Sequence, residues 1–88
     1  MAQKKIQPKS DLPQGWMRIS KAAAAAEVSR QTVEYYIMLG MIVPLRQEGR
    51  YGRFFDAELV KRIKLIRRLN ETGYALRDIR EIYLKGKN

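Results

Sequence analysis

Apolar residues recur at helical spacing in several stretches of the chain, and the clearest stretch runs from Ser29 to Gly40. Within it Val33, Tyr36 and Ile37 stand three and four positions apart, which places them on one buried stripe of a helix. Ser29 suits the N-cap, because its hydroxyl can accept a hydrogen bond from a first-turn amide. Gly40 suits the left-handed residue that follows a helix. The pattern predicts a short helix between them.

Four polar side chains fall together on the opposite face of this helix: Arg30, Gln31, Glu34 and Tyr35. Hydrogen-bonding groups on a helix can read base edges in the major groove, and a phenol can reach a phosphate oxygen. We therefore predict that this helix enters DNA, and we call it the recognition helix.

A helix with a face of small residues is predicted just before the recognition helix. Ser20 is the predicted cap of a helix from Lys21 to Ala26, and its inward stripe is Ile19, Ala22, Ala23 and Ala26. Glu27-Val28 then forms a tight turn. Two short helices joined in this way predict a helix-turn-helix.

A β-hairpin, or wing, is predicted after the recognition helix. Extended segments at 42–45 and 51–55 flank the polar turn 47–50. Arg46, Arg50 and Arg53 are expected at or near its tip. Beside a recognition helix they are candidate phosphate clamps; the alternative is that they are only solvated.

Two further helices complete the predicted core. Asp56 caps a helix from about Ala57 to Glu71, whose core face is Leu59, Val60, Ile63, Ile66 and Leu69. Its far face is predicted to be solvated. This face carries Lys61, Lys64 and Arg68, with Arg62 and Arg67 along the flanks. Gly73 ends this helix. A last helix from Leu76 to about Leu84 is predicted to turn inward Leu76, Ile79, Ile82 and Tyr83.

Charge and composition narrow the function. The 88 residues carry 18 lysines and arginines against 9 acids, a net charge of +9 that favours a polyanionic partner. Cysteine and histidine are absent, so disulfides, thiolate metal sites and the commonest general base are excluded. With no nucleophile–base set either, we expect neither an enzyme nor a bound cofactor or metal. No apolar run approaches a membrane span, and we expect a cytoplasmic, nucleoid-associated protein.

The chain divides into three parts. Residues 1–15 are polar and basic, without apolar periodicity, and are expected to form a flexible arm. Such an arm can follow a phosphate backbone, or it can be a solvated tail. Residues 16–84 form the folded domain, with Trp16 covering the edge of the core, and 85–88 form a tail.

The order and spacing of several motifs between Met17 and about Tyr83 resemble the MerR family of bacterial transcriptional regulators. The motifs are Met17-Arg18-Ile19-Ser20, Val28-Ser29-Arg30-Gln31-Thr32-Val33 with Tyr35-Tyr36, Leu39-Gly40-Met41-Ile42 followed by Pro44, Gly52-Arg53-Phe54-Phe55-Asp56, Ile66-Arg67-Arg68-Leu69, and Gly73-Tyr74-Ala75-Leu76 leading to Ile79.

This resemblance implies a winged helix-turn-helix, mainly α with a small β-hairpin and about four helices. The recognition helix would lie in the major groove, and the loop between the last two helices would be a second wing carrying Tyr74. The residues that the resemblance turns toward DNA are Ser29, Arg30, Gln31, Thr32, Tyr35 and the wing residue Arg53. Double-stranded DNA is the expected partner, with RNA polymerase as a second candidate.

Three features depart from the family pattern. Glu34 stands where the family usually has arginine, and a carboxylate cannot clamp a phosphate; it could accept from a cytosine amino group or hold Arg30 in place. Glu27 replaces a common glycine, at a cost of about 1 kcal/mol if that residue is left-handed. The chain stops near Leu84, before the family's long dimerising helix and ligand-sensing domain. We therefore expect a monomer in free solution that pairs, if at all, on DNA.

The leading prediction is a sequence-specific DNA-binding transcription regulator without a dimerisation helix or effector domain. The first alternative is an architectural protein resembling the small excisionases, for which a footprint over several direct repeats would argue. A second alternative is an adaptor whose basic face meets an acidic protein. It would require that changing Arg30 and Tyr35 abolishes partner binding and leaves DNA binding intact.

Overall fold

The computed structural model describes residues 12–84, and its elements follow the predicted order. They are α1 (Ile19–Ala26), α2 (Arg30–Met38), β1 (Leu45–Gln47), β2 (Arg50–Phe54), α3 (Ala57–Glu71) and α4 (Leu76–Asp78), which continues as a π-helix over Ile79–Leu84. This is a winged helix-turn-helix, the predicted fold class. The basic residues of the expected arm and the tail at 85–88 lie outside the described residues.

Side-chain caps begin α2 and α3 as predicted, but α1 begins differently. Ser29 Oγ accepts from the Thr32 amide at 3.0 Å, and Asp56 Oδ1 accepts from the Leu59 amide at 3.0 Å. The prediction that Ser20 caps α1 is wrong, since the N-cap is Arg18 and no side chain caps there. The reason is a backbone bridge between Met17 and Phe55, with bonds of 2.8 and 2.7 Å. It fixes the chain up to Met17, and the helix starts immediately afterwards.

The turn between α1 and α2 depends on one left-handed residue. Glu27 has φ of 61°, the left-handed conformation considered for this residue from the sequence. The Val28 amide donates to the Ala23 carbonyl at 3.0 Å, which closes the end of α1 in the manner of a Schellman motif. This geometry turns the chain directly into α2.

The core forms where α1 lies against α2 and α3. The small stripe of α1 is buried as predicted, and so are Val33 and Tyr36 of α2 and Ile63 and Ile66 of α3. Alanines on α1 let the other backbones approach closely, so a short helix can pack on two neighbours. Leu59, Val60 and Leu69 pack at the edge of this core.

Two arginines of α3 bond to backbone carbonyls on either side of α2. Arg67 Nη1 donates to the Glu27 carbonyl at 2.8 Å, and Arg62 Nε donates to the Met41 carbonyl at 3.1 Å. Both arginines are exposed, as predicted for the flanks of a solvated face, but each also bonds to another part of the domain. Their carbonyl partners lie in the turn and the loop that bound α2, so α3 holds both ends of that helix.

The wing is shorter than predicted on its first strand. The hairpin begins at Leu45, which pairs with Phe54, and closes at the pair Gln47–Arg50 around a two-residue turn. The expected strand at 42–44 is absent because Ile42 is buried in the core and Pro44 has no amide hydrogen for a ladder bond.

An aromatic contact attaches the wing to the rest of the domain. Phe54 is fully buried, and its ring centroid lies 6.1 Å from that of Trp16 and 4.7 Å from the guanidinium carbon of Arg18. Trp16 thus covers a buried group at the edge of the domain, as expected.

The last helix differs from its predicted packing at one position. Ile79 is buried and Leu76 and Tyr83 pack against the core, but Ile82 is 61% exposed, so its predicted inward orientation is wrong. A π-helix turns less per residue than an α-helix, so residues three apart no longer share a face. None of the helices between residues 12 and 84 is both long enough and apolar enough to cross a bilayer.

Glu27→Gly is expected to stabilise the domain. Relief of the left-handed strain, about 1–2 kcal/mol, exceeds the extra entropy of an unfolded glycine, about 0.4–1 kcal/mol. The net gain of about 0.5–1 kcal/mol should raise the melting temperature by roughly 2–8 °C, measured by circular dichroism.

The matched control is Ala24→Gly, an exposed position within α1 whose backbone is ordinarily helical. There glycine should cost about 0.5–1 kcal/mol. Equal effects of the two substitutions would contradict the account of the turn.

Candidate nucleic-acid interface

Burial of Val33 and Tyr36 fixes which side of α2 faces outward. Arg30 and Gln31 are exposed, Tyr35 is 46% exposed, and the Glu34 side chain is 41% exposed. The side chains of α2 that can bond to bases and phosphates therefore lie on one accessible face of the helix, as the helical spacing predicted.

Two hydroxyls at the start of α2 are bonded to one another. Ser29 Oγ and Thr32 Oγ1 lie 2.9 Å apart, and the Thr32 amide also donates to Ser29 Oγ. Both residues lie in the predicted position at the amino end of the recognition helix. The mutual bond gives the two hydroxyls a fixed arrangement on that end.

Arg53 does not lie near the wing tip, contrary to prediction. It is next to Phe54, which pairs with the first residue of β1, so it lies at the open end of the hairpin. Its Nη1 and Nη2 donate to Glu34 Oε1 and Oε2 at 2.9 and 2.8 Å. The wing is thus linked to the recognition helix by a two-pronged ion pair that no periodicity in the sequence could indicate.

The other two wing arginines lie nearer the turn. Arg50 is the first residue of β2, with its guanidinium carbon 5.9 Å from the Phe54 ring centroid. Arg46 is exposed, and its Nη1 donates to the Gly52 carbonyl at 3.3 Å. Both therefore remain on the wing near its tip, as the pattern predicted.

The Glu34 carboxylate lies between two guanidinium groups. Hydrogen bonding from Arg53 is the largest influence and holds the pKa of Glu34 below its ordinary value; desolvation opposes it, and the charges of Arg53 and Arg30 add to it. The same bond raises the pKa of Arg53. Arg30 Nε lies 3.8 Å from Glu34 Oε2. Glu34 is therefore ionised at neutral pH and faces both arginines.

A groove beside the recognition helix includes two arginines of the last helix that were not among the predicted site residues. It has a volume of about 320 Å³ and is lined by Tyr35, Leu39, Met41, Leu76, Arg77 and Arg80. A phenol and two guanidiniums thus share this groove with three apolar side chains. The three-residue spacing of Arg77 and Arg80, directly after the second-wing loop, was the signal available in the sequence.

Tyr74 lies in the loop between α3 and α4, as the resemblance implied. It is 42% exposed, its ring meets that of Tyr83 edge-on at 5.6 Å, and Asn70 Nδ2 donates to its carbonyl at 2.8 Å. Hydrogen bonding with Tyr74 raises the pKa of the Tyr83 hydroxyl. The second wing is thus held by side chains from both flanking helices.

Between residues 12 and 84, no three histidine, cysteine, aspartate or glutamate side chains lie close enough together to hold a metal ion.

The Glu34–Arg53 pair should make stability depend on acid pH. Because the folded-state pKa of Glu34 is below its unfolded value, the stabilisation is fully present above about pH 4.3 and is lost as the pH falls through the folded-state value. The difference in melting temperature between wild type and Glu34→Gln should be constant from neutral pH to about pH 5. Below that pH the melting temperature of the wild type should fall relative to that of Glu34→Gln. A difference that does not vary with pH would contradict the pairing.

Comparison with known proteins agrees with this geometry. A family model described as "MerR HTH family regulatory protein" matches residues 17–85. The HTH-type transcriptional regulator CueR of Bacillus subtilis (strain 168) is 39% identical over 64 residues, 73% of this chain and 44% of that protein. The HTH-type transcriptional regulator ZntR of Escherichia coli (strain K12) is 35% identical over 66 residues, 74% of this chain and 46% of that protein.

A solved structure is also similar. The transcription regulator PbrR691 from Ralstonia metallidurans CH34, in complex with lead(II), matches with a TM-score of 0.68 and 32% identity over 76% of this chain and 52% of that one. The chain spans about half the length of the relatives it matches.

Proposed function

The chain belongs to the MerR family of helix-turn-helix regulators, and from that premise we propose that residues 16–84 bind a specific sequence in double-stranded DNA. One observation carries this proposal. The outward face of α2 presents Arg30, Gln31 and Tyr35 beside a wing in a chain of net charge +9.

The residues on the face of α2 and those on the two wings have different roles in this proposal. Arg30 and Gln31 contact base edges, since guanidinium and amide groups match the donor and acceptor pattern of the major groove. The Ser29 and Thr32 hydroxyls and the Tyr35 phenol contact the backbone. Arg50 on the wing and Tyr74 on the second wing reach flanking phosphates, as do the groove residues Arg77 and Arg80.

Regulation of transcription is part of the proposal, because the matched relatives are named as transcription regulators. DNA binding next to a promoter would bring the domain into contact with RNA polymerase in the nucleoid of a bacterial cytoplasm. The relatives extend beyond the matched region, so effector recognition in the whole protein is not assigned to these residues.

Duplex binding should depend strongly on salt. If about four to six phosphates are neutralised, log affinity should fall against log salt with a slope of roughly −4 to −5. The measurement is fluorescence anisotropy with a duplex enriched from a random pool, at several salt concentrations. A slope near zero would overturn the proposal.

In the same assay Arg30→Ala should weaken binding to the enriched duplex by about 1–3 kcal/mol and leave melting nearly unchanged. Arg68→Ala on the far face of α3 removes the same charge from an exposed residue and is the matched control. Equal losses from both variants would show that charge, and not the face of α2, determines binding.

We propose that the 88-residue chain is a monomer in free solution and pairs only on adjacent DNA sites. In its support, all but one of the buried apolar residues between positions 12 and 84 belong to one intramolecular core. Sedimentation equilibrium at tens of micromolar should give the monomer mass. A stable dimer would instead indicate an interface, with the exposed Leu65 and Ile82 as the first residues to test.

A further inference from the structure

We infer that Glu34 determines the base preference of this chain by aiming Arg30 at DNA, with Arg53 acting as a positioning residue that holds the carboxylate. This inference rests on the proposed function, since it concerns how the same face of α2 selects a sequence. It assigns Glu34 one of the two roles that the sequence left open, and it gives the wing arginine a task other than clamping phosphate.

The two guanidiniums meet the carboxylate in different ways. Arg53 approaches end-on, with one bond from each terminal nitrogen at 2.9 and 2.8 Å. Arg30, one helical turn before Glu34, brings its Nε to 3.8 Å from Oε2. The Arg53 side chain is 30% exposed and the Arg30 side chain is 62% exposed. The less exposed Arg53 is therefore held in its pair with the carboxylate, whereas the more exposed Arg30 is only oriented by it.

The end-on pairing changes what Arg53 offers to DNA. An end-on, two-pronged phosphate contact uses the same Nη1–Nη2 edge of the guanidinium that Glu34 now occupies. A phosphate could take that edge only by displacing the carboxylate. Arg53 therefore acts through Glu34, and it also sets the distance between the wing and the recognition helix.

Because Arg30 contacts the carboxylate through Nε, we infer that its terminal nitrogens bond to a base edge. The two terminal nitrogens of an arginine match the paired O6 and N7 acceptors of guanine. A long, exposed side chain otherwise samples many rotamers, and the nearby carboxylate favours those that direct it along the face of α2. The geometry points to guanine opposite Arg30.

The charges predict an unusual pattern among variants. Removing Arg53 leaves the carboxylate free to capture Arg30 and to repel phosphates, so Arg53→Ala should be harmful. Removing the charge of Glu34 as well should relieve that harm. Glu34→Gln alone frees both arginines for any phosphate, so binding to arbitrary DNA should rise while base selection falls.

The experiment is selection from a pool of random duplexes of about 20 base pairs, long enough for two adjacent half-sites, followed by sequencing. It uses the full chain as wild type, Glu34→Gln, Arg53→Ala and the double variant. Glu58→Gln is the matched control, because Glu58 is exposed on α3 and its loss changes the net charge equally. Circular dichroism melts verify that each variant is folded.

The wild type should enrich one guanine position, and Glu34→Gln should lower the preference there roughly 5- to 150-fold, the range of one bidentate base contact. Glu58→Gln should keep the preference. Affinity for the wild-type site should fall in Arg53→Ala and recover several-fold in the double variant.

Two results would overturn the inference while the proposed function stands. One is a Glu34→Gln motif identical to that of Glu58→Gln. The other is an Arg53→Ala defect that the second substitution does not relieve. If the wild type enriches no duplex and binds none at low salt, the proposed function fails and the inference with it.

Discussion

The fixed orientation of α2 about its own axis is the constraint on which the other features depend. Val33 and Tyr36 are buried in the core that α2 shares with α1 and α3, and this leaves one orientation for the remaining side chains of a helix only nine residues long. Small residues on α1 matter here, because bulky ones would hold the two backbones apart. The polar face of α2 is a consequence of this packing, and so is its position next to the wing.

The wing and the recognition helix form one unit through unlike contacts. Phe54 attaches the hairpin to the body by burial against Trp16 and Arg18. The ion pair between Arg53 and Glu34 is directional and joins the hairpin to the polar face of α2. Apolar burial therefore holds the wing against the domain, and the ion pair determines the position of the wing residues relative to the polar face of α2.

Local patterns in the sequence were sufficient for most of the fold. The caps at Ser29 and Asp56 and the stripes of α2 and α3 depend on neighbouring residues, so spacing predicts them. Ser20 and Ile42 were misplaced because distant parts of the chain decide them, through the bridge to Phe55 and burial in the core. Ile82 was misplaced because the last helix continues as a π-helix. In the candidate site, helical geometry predicted the exposed face, but the partnership of Arg53 with Glu34 joins two elements and has no local signal.

The contacts from α3 to both ends of α2 also have a mechanical consequence. Arg67 bonds to the Glu27 carbonyl ahead of the helix, and Arg62 bonds to the Met41 carbonyl behind it. A force that pulls on the recognition helix is therefore carried into the longest helix of the domain at two points, and the short connecting loops do not bear it alone.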